Sequence, residues 1–91
     1  MEVWKWKLVT ATTQVTNFRT FIKTLIFDHS GASSVVIYDE ASGDTTTEFM
    51  TIHNTSGELT KPIILENAAQ LENGCYVVPA AGRLWIQYRE G

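Results

Sequence analysis

The chain has 91 residues, 44% of them hydrophobic, and a formal net charge of −3. Such a composition belongs to a single globular domain (residues 1–91), neither disordered nor large enough to house a deep catalytic cleft with ease. Its seven basic residues (Lys5, Lys7, Arg19, Lys23, Lys61, Arg83, Arg89) are scattered and form no cluster in sequence, which speaks against a phosphate-binding surface and a nucleic-acid partner.

The first predicted element spans residues 3–10. Trp4, Trp6 and Leu8 alternate with Lys5 and Lys7, so the three apolar side chains share one face of a strand. The second spans residues 18–28. Phe21, Ile22, Leu25, Ile26 and Phe27 make it apolar on both faces, the pattern of a central strand or one covered by a neighbouring subunit. Residues 34–39 and 46–53 are the third and fourth strands, joined through a turn at Ala41-Ser42-Gly43-Asp44. The fifth covers residues 59–65, and Pro62, which has no N–H to donate, places it at a sheet edge. Residues 64–72 hold the only stretch with helical spacing, with Leu65, Ala68, Ala69 and Glu72 along one side and Gly74 beyond as a C-cap. So short a helix has little propensity of its own. Residues 75–78 and 83–89 close the chain, and the loop 79–82 turns one into the other.

Turn residues recur at short spacing between these runs, at 29–31, 41–44, 54–57, 73–74 and 79–82. Short strands of β-branched and aromatic residues between regular turns predict an all-β fold: a small antiparallel β-sandwich, jelly-roll or Ig-like, of about seven strands built from hairpins.

Chemistry is sparse. Cys75 stands alone, so no disulfide closes within the chain, as suits a protein folded in a reducing cytoplasm. It sits in the apolar run Cys75-Tyr76-Val77-Val78, where a free cysteine behaves as a small core residue. Asp28 and His29, with Asp39 or Asp44, carry metal-ligating atoms without a ligand spacing. Asp39, Glu40, Asp44 and Glu48 surround one turn but do not follow a calcium-loop pattern. There is no phosphate-cradling glycine loop, nucleophile elbow or paired CxxC, so no catalytic, cofactor or metal residues are expected. The amino-terminal residues lack the apolar run of a signal peptide, and no stretch approaches a membrane span, so no membrane partner is expected either. Asn54-Thr55-Ser56 is a glycosylation sequon, relevant only to a secreted eukaryotic protein. The residues that remain are aromatic. Trp4, Trp6 and Trp85 are the interface candidates: Trp4 and Trp6 suit an interface or a core equally, and Trp85 is undecided because it alternates with Leu84 and Ile86.

Two segment groups carry a resemblance. Ile22-Lys23-Thr24-Leu25-Ile26-Phe27, a small-residue turn, Ser34-Val35-Val36-Ile37-Tyr38-Asp39 and Ser42-Gly43 form the first. Leu71-Glu72-Asn73-Gly74-Cys75-Tyr76-Val77-Val78 and Leu84-Trp85-Ile86-Gln87-Tyr88 form the second. Over residues 20–89 the chain resembles small virion structural proteins of tailed bacteriophages. Cys75 stands where that family has leucine, the stretch 61–70 is longer, and the Trp-bearing first strand lies outside the pattern. The resemblance implies a non-enzymatic capsid decoration (cement) protein, or a tail or neck accessory. It also implies a homo-oligomer that binds a major capsid or other virion protein, located on the virion and assembled in a bacterial cytoplasm. Two other readings fit the residues: a carbohydrate- or receptor-binding module using exposed aromatics, and a chaperone or inhibitor that pairs through an edge strand.

Overall fold

The computed structural model describes residues 3–29, 33–54 and 60–91. The turns expected at 29–31 and 54–57, the sequon and the first residue of the 59–65 strand fall wholly or partly outside these residues. Among the described residues there are eight strands and no helix: β1 (Lys5–Val9), β2 (Thr13–Thr16), β3 (Thr20–Asp28), β4 (Ser33–Tyr38), β5 (Glu48–Asn54), β6 (Thr60–Leu71), β7 (Cys75–Pro79) and β8 (Arg83–Glu90). They form two four-stranded sheets, ordered β1-β8-β3-β6 and β2-β7-β4-β5. Every pairing is antiparallel.

The expected all-β sandwich is present, and the strand order selects the jelly roll over the Ig-like alternative. The expectation of hairpins holds at one place. Only β4 and β5 follow one another within a sheet; every other connection passes between sheets. The loop after Pro79 therefore carries the chain from the second sheet to the first instead of closing a hairpin. The 80–82 crossing is pinned by the Ala80 amide donating to the Ser34 carbonyl (2.9 Å) and the Ser33 hydroxyl donating to the Ala81 carbonyl (3.2 Å).

Alternation along each strand sends one set of side chains between the sheets. Val9, Ile22, Leu25, Phe27, Leu71, Leu84 and Ile86 come from the first sheet, and Val35, Ile37, Ile52, Cys75 and Val77 from the second. All are buried. β3 is central, between β8 and β6, as its doubly apolar pattern requires; β6 with Pro62 is at the edge, as a residue without an N–H requires.

Two expectations fail for identifiable reasons. β2 was not foreseen. Thr13-Gln14-Val15-Thr16 carries no distinctive alternation, and the Gln14 side chain holds it in place. Its amide nitrogen donates to the carbonyls of Thr16 (2.7 Å), Glu40 (2.6 Å) and Cys75 (3.3 Å), and its oxygen accepts from the Gly43 amide (2.8 Å). The strand expected at 59–65 runs on to Leu71, and the helical turn at 64–72 is absent. The open edge of β3 offers a ladder of backbone partners that a helix of two turns cannot match. The helical spacing survives as a bulge: Thr24 pairs with Ile64 and Ile22 with Ala69, so residues 65–68 of β6 lie opposite Lys23 alone.

Candidate functional site

The outward face of the first sheet follows from register. Leu84 and Ile86 point inward, so Trp85, Gln87 and Arg89 point outward. Trp85 pairs with Leu8 on one side and with Ile26 on the other, and Ile26 pairs with Pro62. Leu8, Trp85, Ile26 and Pro62 therefore form an apolar row across all four strands. The next row is Trp6, Gln87, Thr24 and Ile64. Within it the Thr24 hydroxyl donates to the Gln87 side-chain oxygen at 2.9 Å. Arg89, Phe21 and Gln70 form the third row.

These side chains are open to solvent to a degree unusual for their type: Ile64 is 73% exposed, Trp6 50%, Trp85 38% and Leu8 36%. Trp4 is half-buried by cations rather than by core. The Arg89 guanidinium lies 5.2 Å from its ring centroid and 4.5 Å from that of Phe21, and the Lys23 ammonium lies 5.6 Å from Trp4. Lys23 stands where β3 carries one extra residue against β8, which places it within reach of Trp4. At the opposite end Arg83 and Asp28 pair at 2.9 Å.

All three interface candidates thus come together on one face. Trp6 and Leu8 share a side of β1, and Trp4, just before the strand, lies on that side against Arg89, as their alternation predicted. Trp85, left open by the sequence, joins them. The face has an apolar and aromatic centre with charged groups at its ends. Sequence reasoning missed Ile26, Pro62 and Ile64, because their place beside Trp85 depends on a pairing between distant segments.

Lys5 and Lys7 share the inward side of β1 with Val9, but only Val9 is covered. Inward-pointing charges at an edge strand discourage the addition of another strand.

The basic residues, scattered in sequence, are not scattered in space. Lys5, Lys7, Lys23, Lys61, Arg83 and Arg89 all stand on strands of the first sheet, and Arg19 immediately precedes β3. The strands of the second sheet contain no Lys or Arg at all. Glu48 stands on β5, and Asp39, Glu40 and Asp44 occupy the loop that joins β4 to β5.

The residues considered for metals are not brought together. Asp28 is paired with Arg83. Asp39 accepts from the backbone amides of Glu72 (3.1 Å), Asn73 (2.8 Å) and Gly74 (3.4 Å). Asp44 accepts from the Thr46 amide (3.0 Å) and hydroxyl (2.6 Å), and hydrogen bonding from Thr46 holds its carboxyl below the usual range. Glu40 accepts from the Thr47 amide at 2.9 Å and Glu48 from the Thr51 hydroxyl at 2.9 Å. Each carboxylate is a local turn or strand fastener. Cys75 lies wholly inside the core, and burial, aided by the charge of Asp39, pushes its thiol up to about 12. A thiol so placed is neither nucleophile nor ligand at neutral pH.

No family model matches the sequence, and no curated protein does. Among solved structures the fold is similar to that of a chain from Bacillus endospore appendages, described as a novel family of disulfide-linked pili. The two superpose with a TM-score of 0.51 at 14% identity, over 99% of this chain and 86% of that one. At that identity the likeness is one of fold.

Proposed function

We propose that this chain is a non-enzymatic structural subunit of a multicopy protein assembly, docking onto neighbouring subunits through the outward face of its first sheet. The observation that carries this reading is the gathering of Trp4, Trp6 and Trp85, with Leu8, Ile26, Pro62 and Ile64, on one exposed surface. The similarity of fold to an endospore appendage chain is consistent with such a role. The finer reading is a decoration protein on a bacteriophage capsid, displayed on the particle surface. It is supported by the resemblance of residues 20–89 to small virion proteins. The work of such a subunit is passive: it buries aromatic surface against a neighbour and clamps that neighbour in place. About 800 Å² per partner suffices for a specific contact.

The test is mass spectrometry of density-purified particles from cells that express the chain, with and without Trp4→Ala and Trp6→Ala. The expected result is a chain present in stoichiometric copies, with occupancy falling in the double variant. Absence from particles would reject the structural role, and unchanged occupancy would reject the face.

A further inference from the structure

We infer that the sandwich stacks face to back with copies of itself, the basic aromatic face of the first sheet packing on the outward face of the second sheet of the next copy. This deepens the structural reading above and rests on it.

The second sheet's outward face follows from the same register logic. Cys75 and Val77 point inward, so Tyr76 and Val78 point outward; Val35 and Ile37 point inward, so Val36 and Tyr38 point outward. Tyr38 pairs with Tyr76 on one side and Glu48 on the other, and Val36 pairs with Val78 and Thr51. The Tyr38 and Tyr76 rings lie 6.2 Å apart. This face presents half-buried Tyr and Val with an acidic margin. Tyr and Trp are the residue types that anchor protein contacts from either side.

Charge selects the pairing. On the outward face of the first sheet Arg83 is paired with Asp28, Arg89 and the bulged Lys23 add positive charge, and Glu66 is the acid in the stretch of β6 opposite Lys23. The second sheet and its β4–β5 loop offer Glu48, Asp44, Glu40 and Asp39 and no Lys or Arg, with His53 on β5 as the one imidazole. Face-to-face packing of two first sheets would appose basic surfaces. Packing first sheet on second apposes opposite charges, which fixes partner and register.

The second sheet sets the size of the contact. Its four strands, about 4.8 Å apart and four to seven residues long, give a flat face of about 350 Å², or about 700 Å² over both partners before surface relief is counted, the size of a weak and reversible contact. Because the two faces differ, the contact is heterologous, and copies add to a stack without closing it. Lys5, Lys7 and Pro62 guard the edges of the first sheet, which leaves its face as the surface to use.

The experiment is sedimentation velocity of the full chain over rising concentration at low and high salt, with two variants. Lys23→Glu with Trp6→Ala disables the first-sheet face; Glu48→Lys with Thr51→Lys disables the second-sheet face. Wild type should form species beyond a dimer at low salt and disperse at high salt. Each variant alone should associate at least about tenfold more weakly. Mixed, the two variants should form a 1:1 complex that grows no further, since each keeps one intact face. Lys23→Glu alone, at an exposed bulge, is the second probe if the Trp6 change lowers stability. A monomeric wild type, variants that stack as wild type does, or variants that fail to complement would each overturn the stacking. A chain that is monomeric in solution yet present on particles would reject the stack and keep the structural reading. Complementing variants with no chain on particles would do the reverse.

Discussion

Two glycines with positive φ separate the energetic cost of a backbone conformation from the cost of a crowded site. Gly43 (φ 70°) lies in the β4–β5 loop, and Gly82 (φ 84°) lies where the chain crosses from the second sheet to the first. A Cβ at Gly43 would meet the Tyr76 ring at 3.8 Å, an ordinary contact. A Cβ at Gly82 would lie 2.6 Å from the His29 Cβ and 2.8 Å from the Asp28 carbonyl oxygen. Gly43→Ala therefore carries only the left-handed penalty, about 1–2 kcal/mol, partly offset by the stiffer unfolded chain, for a net of about 1 kcal/mol. Gly82→Ala carries the same penalty plus an overlap worth about 1–3 kcal/mol more. The overlap is not relieved cheaply, because Asp28 is the last residue of β3 and is tied by its side chain to Arg83. For a domain of this size the expected falls in Tm are about 4–8 °C for Gly43→Ala and about 10–25 °C for Gly82→Ala. Thermal unfolding followed by circular dichroism, with urea midpoints as a second measure, reads both. Equal losses at the two positions would refute the steric account of the 80–82 crossing, and no loss at either would refute the backbone assignment.

Three further outcomes follow from side chains that the sequence did not rank. Asp39→Ala strands the amides of residues 72–74 and should cost about 1–3 kcal/mol, with Asp39→Asn costing less because it keeps an acceptor; urea unfolding measures both. Gln14→Glu should destabilise more than Gln14→Ala at pH 7, since it turns the donor that serves three carbonyls into a charge that repels them; the order of the two urea midpoints decides it. Cys75 should resist thiol reagents until the protein unfolds. Its thiol is pushed up from 9.0 to about 12, so folded and unfolded states both hold the proton below pH 9. Between pH 9 and 12 only the unfolded state releases it, and stability falls by about 4 kcal/mol across that window. Cys75→Ala should lack this part of the alkaline decline in denaturation midpoints taken from pH 8 to 12.

Strand faces were legible wherever a strand was long and its alternation clean. The Trp4, Trp6, Leu8 side of β1, the central place of β3 and the edge place of Pro62 each follow from local rules of period and backbone donors. What the sequence hid was non-local. β2 exists because Gln14 binds carbonyls from two other segments, at Glu40 and Cys75, which leaves no mark in Thr13-Gln14-Val15-Thr16 itself. The spacing of Leu65, Ala68 and Ala69 fits a helix, yet the β3 edge pulls these residues into an extended strand with a bulge. The same holds for the site. Trp85 could not be oriented without knowing that Leu84 and Ile86 face the second sheet. The basic residues read as scattered because jelly-roll connections alternate between sheets, so residues distant in sequence gather on one sheet while their sequence neighbours are carried to the other.

That alternation links fold to use. In a fold of simple hairpins, sequence neighbours share a sheet, and a segregated charge pattern would show as blocks along the chain. Here six of the seven basic residues fall on strands of one sheet and none on the other, with no run of like charge anywhere in the sequence. The core does not demand this arrangement, since the side chains of Lys5, Lys7, Lys23, Arg83 and Arg89 stand outside it or at its rim. The bond that could join copies covalently is also absent from these residues, because the single cysteine is buried between the sheets and cannot meet another in the folded protein. Association between copies would therefore rest on aromatic burial and opposite charge. Such contacts weaken with salt and reverse on dilution, whereas a disulfide-linked assembly would do neither. Reversal of the stack by salt, with no effect of reductant, is the signature that separates the two.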